Sequence, residues 1–218
     1  MTFAEPSREC PHCPRLAALR ERLRAEHPAW ANAPVPSFGP IGARLLIVGL
    51  APGLKGANRT GRPFTGDYAG DLLYATLPKF GWATGEYRAG REDAAWTPDT
   101  LALTGARIAN AVRCLPPANK PTPAEAAACR PFLAAEIAAM PDLRAILALG
   151  RLAHDQVLIA LGRKASAAKF AHGAMHDFGG GAPLLADSYH CSRYNTNTGR
   201  LTPAMFEAVF ARLAERIG

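Results

Sequence analysis

Residues 44–67 read RLLIVGLAPGLKGANRTGRPFTGD. Leu45, Leu46, Ile47 and Val48 form an apolar run without polar alternation, the pattern of a strand covered on both faces in a parallel sheet. The carboxyl end of such a strand opens onto a ligand crevice. Gly49, Gly53 and Gly56 let the following backbone turn sharply and approach a flat or anionic ligand, and Pro52 fixes one dihedral in the loop. An ordinary strand-to-helix connection shares these glycines. The company is less ordinary, because Lys55, Asn58, Arg59, Arg62, Phe64 and Asp67 follow closely. One loop thus carries cations, an aromatic platform and a carboxylate, as the floor of an active site requires.

Downstream, the pattern alternates between helix and strand. Tyr68 to Phe80 reads as a crossover helix with Leu72, Leu73 and Leu77 on one face. Gly81 to Thr100 is an irregular excursion whose Trp82, Tyr87 and Trp96 are expected to pack locally. Ile108 to Cys114 reads as a second strand ended by Pro116 and Pro117, with Asn110 near its carboxyl end. There its amide offers a donor and an acceptor together, or simply caps the following turn. Thr122-Pro123-Ala124-Glu125 opens a helix that runs to Met140, with a Thr cap, Pro at the first position and Glu at the third. Arg144 to Leu149 is a third strand, followed by a helix on which His154 and Asp155 read as solvated or capping neighbours. Ala165 to Gly181 reads as loop and Pro183 to Asp187 as a fourth strand. A last helix from Thr202 buries Phe206, Val209, Phe210, Leu213 and Ile217. The expected fold is a three-layer α/β/α sandwich around a four-stranded parallel sheet. One domain spans residues 1–218, with an extension over about residues 1–40.

The chain has 218 residues, enough for a substantial core. Its 25 Lys and Arg against 18 Asp and Glu give a net charge of +7, which favours a polyanionic partner. No 18-residue apolar run and no secretory leader are read, so a soluble, cytoplasmic protein is expected, without a membrane role. Five cysteines in such a chain suggest metal ligation rather than a disulfide framework. Cys10-Pro11-His12-Cys13 precedes a helix with Leu16, Leu19 and Leu23. Cys114 and Cys129 stand apart, and Cys191 reads as a small residue beside His190. Four thiolates close a zinc site or hold an iron–sulfur cluster. The wide gap between Cys114 and Cys129 favours a structural cluster over zinc.

Four segments in order carry a resemblance: Gly49-Leu-Ala-Pro-Gly53, Gly61-Arg-Pro-Phe-Thr-Gly-Asp67, Asn110-Ala-Val-Arg-Cys114-Leu-Pro-Pro117 and His190-Cys-Ser-Arg-Tyr-Asn195. With the four cysteines, the chain resembles the uracil-DNA glycosylase superfamily over nearly its whole length. It is most similar to family 5, the iron–sulfur type B enzymes, because Leu50 stands where the related family 4 has Glu.

The resemblance implies a glycosylase that removes uracil, and other deaminated bases such as hypoxanthine, from DNA and leaves an abasic site; it is expected to be monofunctional because the motifs hold no obvious lysine nucleophile, the nearby Lys55 being assigned to phosphate. The resemblance implies a 4Fe-4S cluster on Cys10, Cys13, Cys114 and Cys129. It also implies a base pocket of Gly49, Ala51, Pro52, Gly53, Phe64 and Asn110, in which Phe64 stacks on the flipped base and Asn110 reads its edge. His190 would stabilise the leaving base. Asp67 would orient the water and favour a cationic sugar, a role compatible with capping a helix that starts at Tyr68. Lys55, Arg59, Arg62 and Lys120 are expected along the DNA backbone. Ser192 and Arg193 suit phosphate contacts, and Arg193 or Tyr194 suits the gap left by the base. The chain is expected to act as a monomer. Two other readings are a non-catalytic, metal-stabilised DNA-binding module and a relative that traps the abasic sugar covalently.

Overall fold

The apolar run Leu45–Gly49 forms β1, and every one of its residues is buried. Its side chains alternate between two cores: Leu45 and Ile47 join one cluster, Leu46 and Val48 the other. This is the period-two geometry of a strand sandwiched between helical layers. Each fully buried leucine or isoleucine contributes about 1.5–3 kcal/mol, so the strand anchors both layers.

The computed structural model describes residues 3–90 and 99–218. Its elements run α1 (Pro14–Glu26), β1, α2 (Ala57–Thr60), α3 (Tyr68–Thr76), β2 (Ala83–Thr84), β3 (Ala102–Leu103) and β4 (Ala106–Asn110). The second half contains α4 (Pro123–Ala139), β5 (Ala145–Leu149), α5 (Arg151–Ala160), β6 (Met175–His176), β7 (Leu184–Ser188), α6 (Arg193–Asn197) and α7 (Pro203–Ile217). The main sheet has the order β4-β1-β5-β7-β6. β4, β1, β5 and β7 are parallel, with Gly49 beside Asn110 in register. Leu73, Phe206 and Phe210 pack on one face of the sheet, Leu133 and Val157 on the other.

The parallel strands number four, as expected, but the sheet has five. β6 pairs antiparallel to β7 within the segment that reads as loop, and two residues are too few to leave a periodic signature. β4 starts and ends earlier than its sequence suggests, and Asn110 is its last residue. Trp82 packs in the core and Tyr87 against Tyr74, whereas Trp96 lies outside the described residues. The start of α4 follows its sequence closely: Thr122 Oγ1 accepts from Glu125 N–H, and the Glu125 side chain accepts from Thr122 N–H.

Candidate active site

Gly49 ends β1 where its neighbour Asn110 ends β4. A Cβ at Gly49 would lie 2.7 Å from Phe64 Cζ and would overlap Asn110 Oδ1. Glycine here is therefore a condition for the ring and the amide to share one recess. The pairing continues past the sheet, with Ala111 N–H donating to Gly49 O at 2.9 Å and Val112 N–H to Leu50 O at 3.0 Å. Both loops are thereby fixed at the carboxyl edge.

Phe64 is buried and has φ 55°, in the left-handed region that a bulky residue seldom adopts. Such a conformation costs about 1–3 kcal/mol and persists where the surroundings over-determine it. They do so here. Tyr74 Oη donates to Pro63 O at 2.6 Å and Tyr87 Oη to Phe64 O at 3.4 Å. Only glycine fits at position 70, where a side chain would overlap the Phe64 carbonyl oxygen. The Phe64 and His190 rings lie 5.7 Å apart and 25° from parallel.

Asp67 is the N-cap of α3, and its Oδ1 accepts from Ala69 N–H at 3.0 Å. Its Oδ2 is turned toward the glycine-rich loop, close enough that a Cβ at Gly53 would stand 3.1 Å away. The carboxylate thus caps a helix with one oxygen and faces the recess with the other. His190 follows β7 and is partly buried. Loss of water around its ring lowers its pKa to about 4, so the imidazole is neutral at physiological pH. Asn195 Nδ2 donates to His190 O at 2.8 Å and holds the backbone there. The neighbouring Cys191 is fully buried, and its thiol is kept protonated by that burial and, secondarily, by the Asp67 charge.

These groups surround two connected spaces. An outer cleft of about 420 Å³ is lined by Leu50, Ala51, Tyr68, Asn119, Ser192 and Arg193, and touches Asp67 and His190. A recess of about 30 Å³ lies among Pro52, Gly53, Phe64, Asp67, Asn110 and His190. Tyr68 and Asn119 carried no functional expectation. An exposed aromatic beside Asp67 was the available signal for the first, and none marked the second.

The basic residues divide. Lys55, Lys120 and Arg193 are exposed, and the Arg193 guanidinium lies 4.5 Å over the Tyr68 ring. Tyr194 is 71% exposed. Ser192 lines the cleft but also caps α6, its Oγ accepting from Asn195 N–H at 3.4 Å. Arg59 and Arg62 depart from the expected DNA-facing role, because both are buried. Arg59 donates to Lys55 O at 3.0 Å and to Gly90 O at 2.6 Å. Arg62 forms a two-pronged pair with Asp99, 2.7 Å on each side, and donates to Thr65 Oγ1 at 2.9 Å. Burial alone would raise the Asp99 carboxyl, but Arg62 and the Arg88 and Leu101 N–H groups outweigh it and hold the pKa low. These two arginines shape the loop from within.

Behind Asn110 the chain reaches Cys114, which with Cys10, Cys13 and Cys129 lines one cavity. Burial, and then the proximity of Cys129, pushes Cys13 up to about 11 and Cys114 up to about 12. Arg20 is buried, with Nη1 3.9 Å from Cys114 Sγ and Nη2 donating to Cys10 O at 3.2 Å. Its buried Nε has no partner among the described residues. Arg113 N–H donates to Cys129 Sγ at 3.3 Å. Fully buried Glu136 bridges Arg107 and Arg113, while Glu5 reaches Arg113 at 3.1 Å and accepts from Ser37 N–H at 2.9 Å. The N-terminal segment is thereby fastened to the end of β4.

His154 departs from its expected solvated role. It is fully buried and bonded to Asp187. Asp187, His154 and His176 are the one set of His, Cys, Asp or Glu groups among the described residues whose donor atoms all fall within 4.8 Å.

Residues 36–214 match the family model described as the uracil DNA glycosylase superfamily. The chain is 46% identical over 210 residues to a type-5 uracil-DNA glycosylase of Thermus thermophilus, covering 94% of this chain and 92% of the relative. It is 38% identical over 213 residues to a type-5 uracil-DNA glycosylase of Pyrobaculum aerophilum, covering 96% and 89%. A type-4 uracil-DNA glycosylase of the same organism is 33% identical over 132 residues, covering 60% of this chain and 56% of that one. With the strand-end recess, the family model and the near full-length type-5 relatives in agreement, the chain belongs to the uracil DNA glycosylase superfamily and groups with its type-5 members.

Proposed function

We propose that the protein is a monofunctional DNA glycosylase of base-excision repair, which hydrolyses the N-glycosidic bond of uracil in DNA and leaves an abasic site. The observation that carries this reading is the convergence of Phe64, Asn110, Asp67 and His190 on one recess at the carboxyl edge of the sheet. A flipped base stacks on the Phe64 ring while the Asn110 amide pairs with its edge. Gly49, Ala51, Pro52 and Gly53 form the close backbone wall.

When the bond between sugar and base breaks, the electron pair leaves with the base and positive charge develops on the sugar. The neutral His190 imidazole donates a hydrogen bond to the base oxygen as it becomes anionic. Asp67 orients a water toward the sugar carbon, takes up its proton as the new carbon–oxygen bond forms, and stabilises the cationic sugar meanwhile. Among the described residues no lysine lines the recess, which fits a hydrolytic glycosylase rather than one that forms an imine. Lys55, Lys120, Ser192 and Arg193 hold the DNA backbone, and Arg193 or Tyr194 occupies the space vacated by the base. A side chain without carboxylate at Leu50, together with the small Ala51, admits a broader set of deaminated bases, hypoxanthine among them.

The four thiols fit an iron–sulfur cluster better than a single zinc ion. A zinc ribbon would supply a second close pair of thiols, which Cys114 and Cys129 do not form along the chain, and four thiolates are the ligand set of an iron–sulfur cluster. The Arg20 cation, its unpartnered Nε and the Arg113 N–H bond to sulfur suit an anionic group held by Cys10, Cys13, Cys114 and Cys129. A 4Fe-4S cluster there would be structural, joining the extension over about residues 1–40 to the rest of one domain spanning 1–218. No helix among the described residues is long and apolar enough to cross a membrane. We place the protein in the cytoplasm as a monomer acting on DNA.

The test is excision from a labelled duplex containing one uracil, followed by alkali, with a hypoxanthine duplex alongside. A uracil-dependent strand break supports the reading, and the second duplex reports the breadth of the pocket. DNA binding without any product would favour a binding module, and an adduct surviving denaturation would favour covalent trapping.

A further inference from the structure

Asp187 lies in β7, three residues before His190, and is fully buried. His154 of α5 places Nδ1 2.7 Å from Asp187 Oδ1 and Nε2 3.1 Å from the Ala168 carbonyl oxygen. His176 of β6 places Nε2 3.1 Å from Asp187 Oδ2, and Ala171 N–H points to the same oxygen at 3.4 Å.

Both oxygens of the Asp187 carboxyl are thus met by imidazoles from two different elements, and the side chains of Asp187 and His154 are fully buried. The short 2.7 Å separation falls in the range of charge-assisted hydrogen bonds. Breaking either contact would leave a buried polar group without its partner.

The same carboxylate gathers three parts of the chain. The Asp187 backbone accepts from Gly173 N–H at 2.8 Å and donates to Ala174 O at 3.0 Å. From this docked segment His172 accepts from Tyr189 N–H at 3.2 Å and stacks on the Tyr189 ring at 5.0 Å. The two anchors thus stand just ahead of His190. We propose that Asp187, held by His154 on one carboxyl oxygen and His176 on the other, is a positioning residue that sets the strand end from which His190 faces the recess. This rests on the assignment of His190 made above.

Two measurements test it. Long-range nitrogen–proton spectra of the imidazoles at neutral pH, assigned with His154→Gln and His176→Gln, are expected to show His154 and His176 each hydrogen-bonded to the carboxyl and unmoved by chelator. A stoichiometric metal ion whose removal by chelator moves these signals would overturn the proposal. In single-turnover excision from the uracil duplex, Asp187→Asn is expected to lose about tenfold in rate with duplex affinity unchanged. His176→Gln, which keeps a donor for Oδ2, should retain most of the rate that His176→Leu loses. That pair carries the test if Asp187→Asn does not fold. A folded Asp187→Asn with full rate, or equal losses in the two His176 variants, would refute the positioning role. Full activity in His190→Ala would instead defeat the His190 assignment and leave the Asp187 contacts to His154 and His176 standing.

Discussion

The recess and the thiol cavity stand at the two ends of the short segment from Asn110 to Cys114, yet they are held together differently. At the recess, Phe64 sits in a left-handed conformation beneath a partly open cleft, and His190 is kept neutral. Around the thiol cavity, Arg15 grips Glu125 at 2.7 Å, Arg107 and Arg113 share the buried Glu136, and Glu5 ties in the N-terminal segment. One end stores strain and leaves room for a ligand. The other is braced by ion pairs from distant parts of the chain. The difference teaches that the bracing supplies the rigidity against which a strained, open site can be held.

If that division is right, changes at the recess should alter turnover while sparing stability, and changes in the bracing should do the reverse. From His190→Ala a loss of about 10²–10³ in single-turnover rate is expected, comparable to removing one transition-state donor elsewhere. Its titration gives a second handle. With its pKa lowered to about 4, wild-type His190 should produce no break in the pH–rate profile near 6.5. Between about pH 4 and 6.5 the unfolded chain binds a proton that the native histidine does not, so stability falls as pH falls through that window. A wild-type break near 6.5 that vanishes in His190→Ala would contradict the neutral-donor role.

Arg62→Ala tests an ion pair within the recess loop itself. It leaves Asp99 charged and buried, and an unfolding loss of about 3–5 kcal/mol is expected in denaturant titrations, with the salt dependence of DNA binding unchanged. A lowered salt slope at wild-type stability would return Arg62 to the DNA surface. Phe64→Ala removes the stacking platform and should weaken capture of the flipped base by about 1–3 kcal/mol, read as the loss in kcat/KM. The smallest effect belongs to Lys55→Ala. The salt slope of DNA binding should fall by about 1 while stability and the excision step stay as they were.

Much of this contrast was legible in the chain. The unbroken run Leu45 to Val48 placed the central strand, and the order of the four motifs placed Gly49, Phe64, Asp67, Asn110 and His190 on one edge. Burial of arginines was not legible. Arg62 is hidden because Asp99, 37 residues away, returns to meet it, and no local pattern announces such a partner. His154 reads as a polar residue early in a helix until Asp187 and Ala168 are brought against it. The left-handed backbone at Phe64 was equally hidden, since Phe carries no preference for it and the constraint comes from Tyr74, Tyr87 and Gly70. Local propensity revealed the elements, while the long-range polar pairs needed the folded chain.

The most direct test of the central claim is single-turnover excision of uracil by Asp67→Asn, with duplex binding and thermal unfolding measured on the same preparation. The substitution keeps an oxygen to cap Ala69 N–H but removes the charge that faces water and sugar. The account predicts a rate loss of about 10²–10⁴ with affinity and melting temperature near wild type. Excision at the wild-type rate, or a loss that only tracks unfolding, would contradict it and reduce Asp67 to a helix cap.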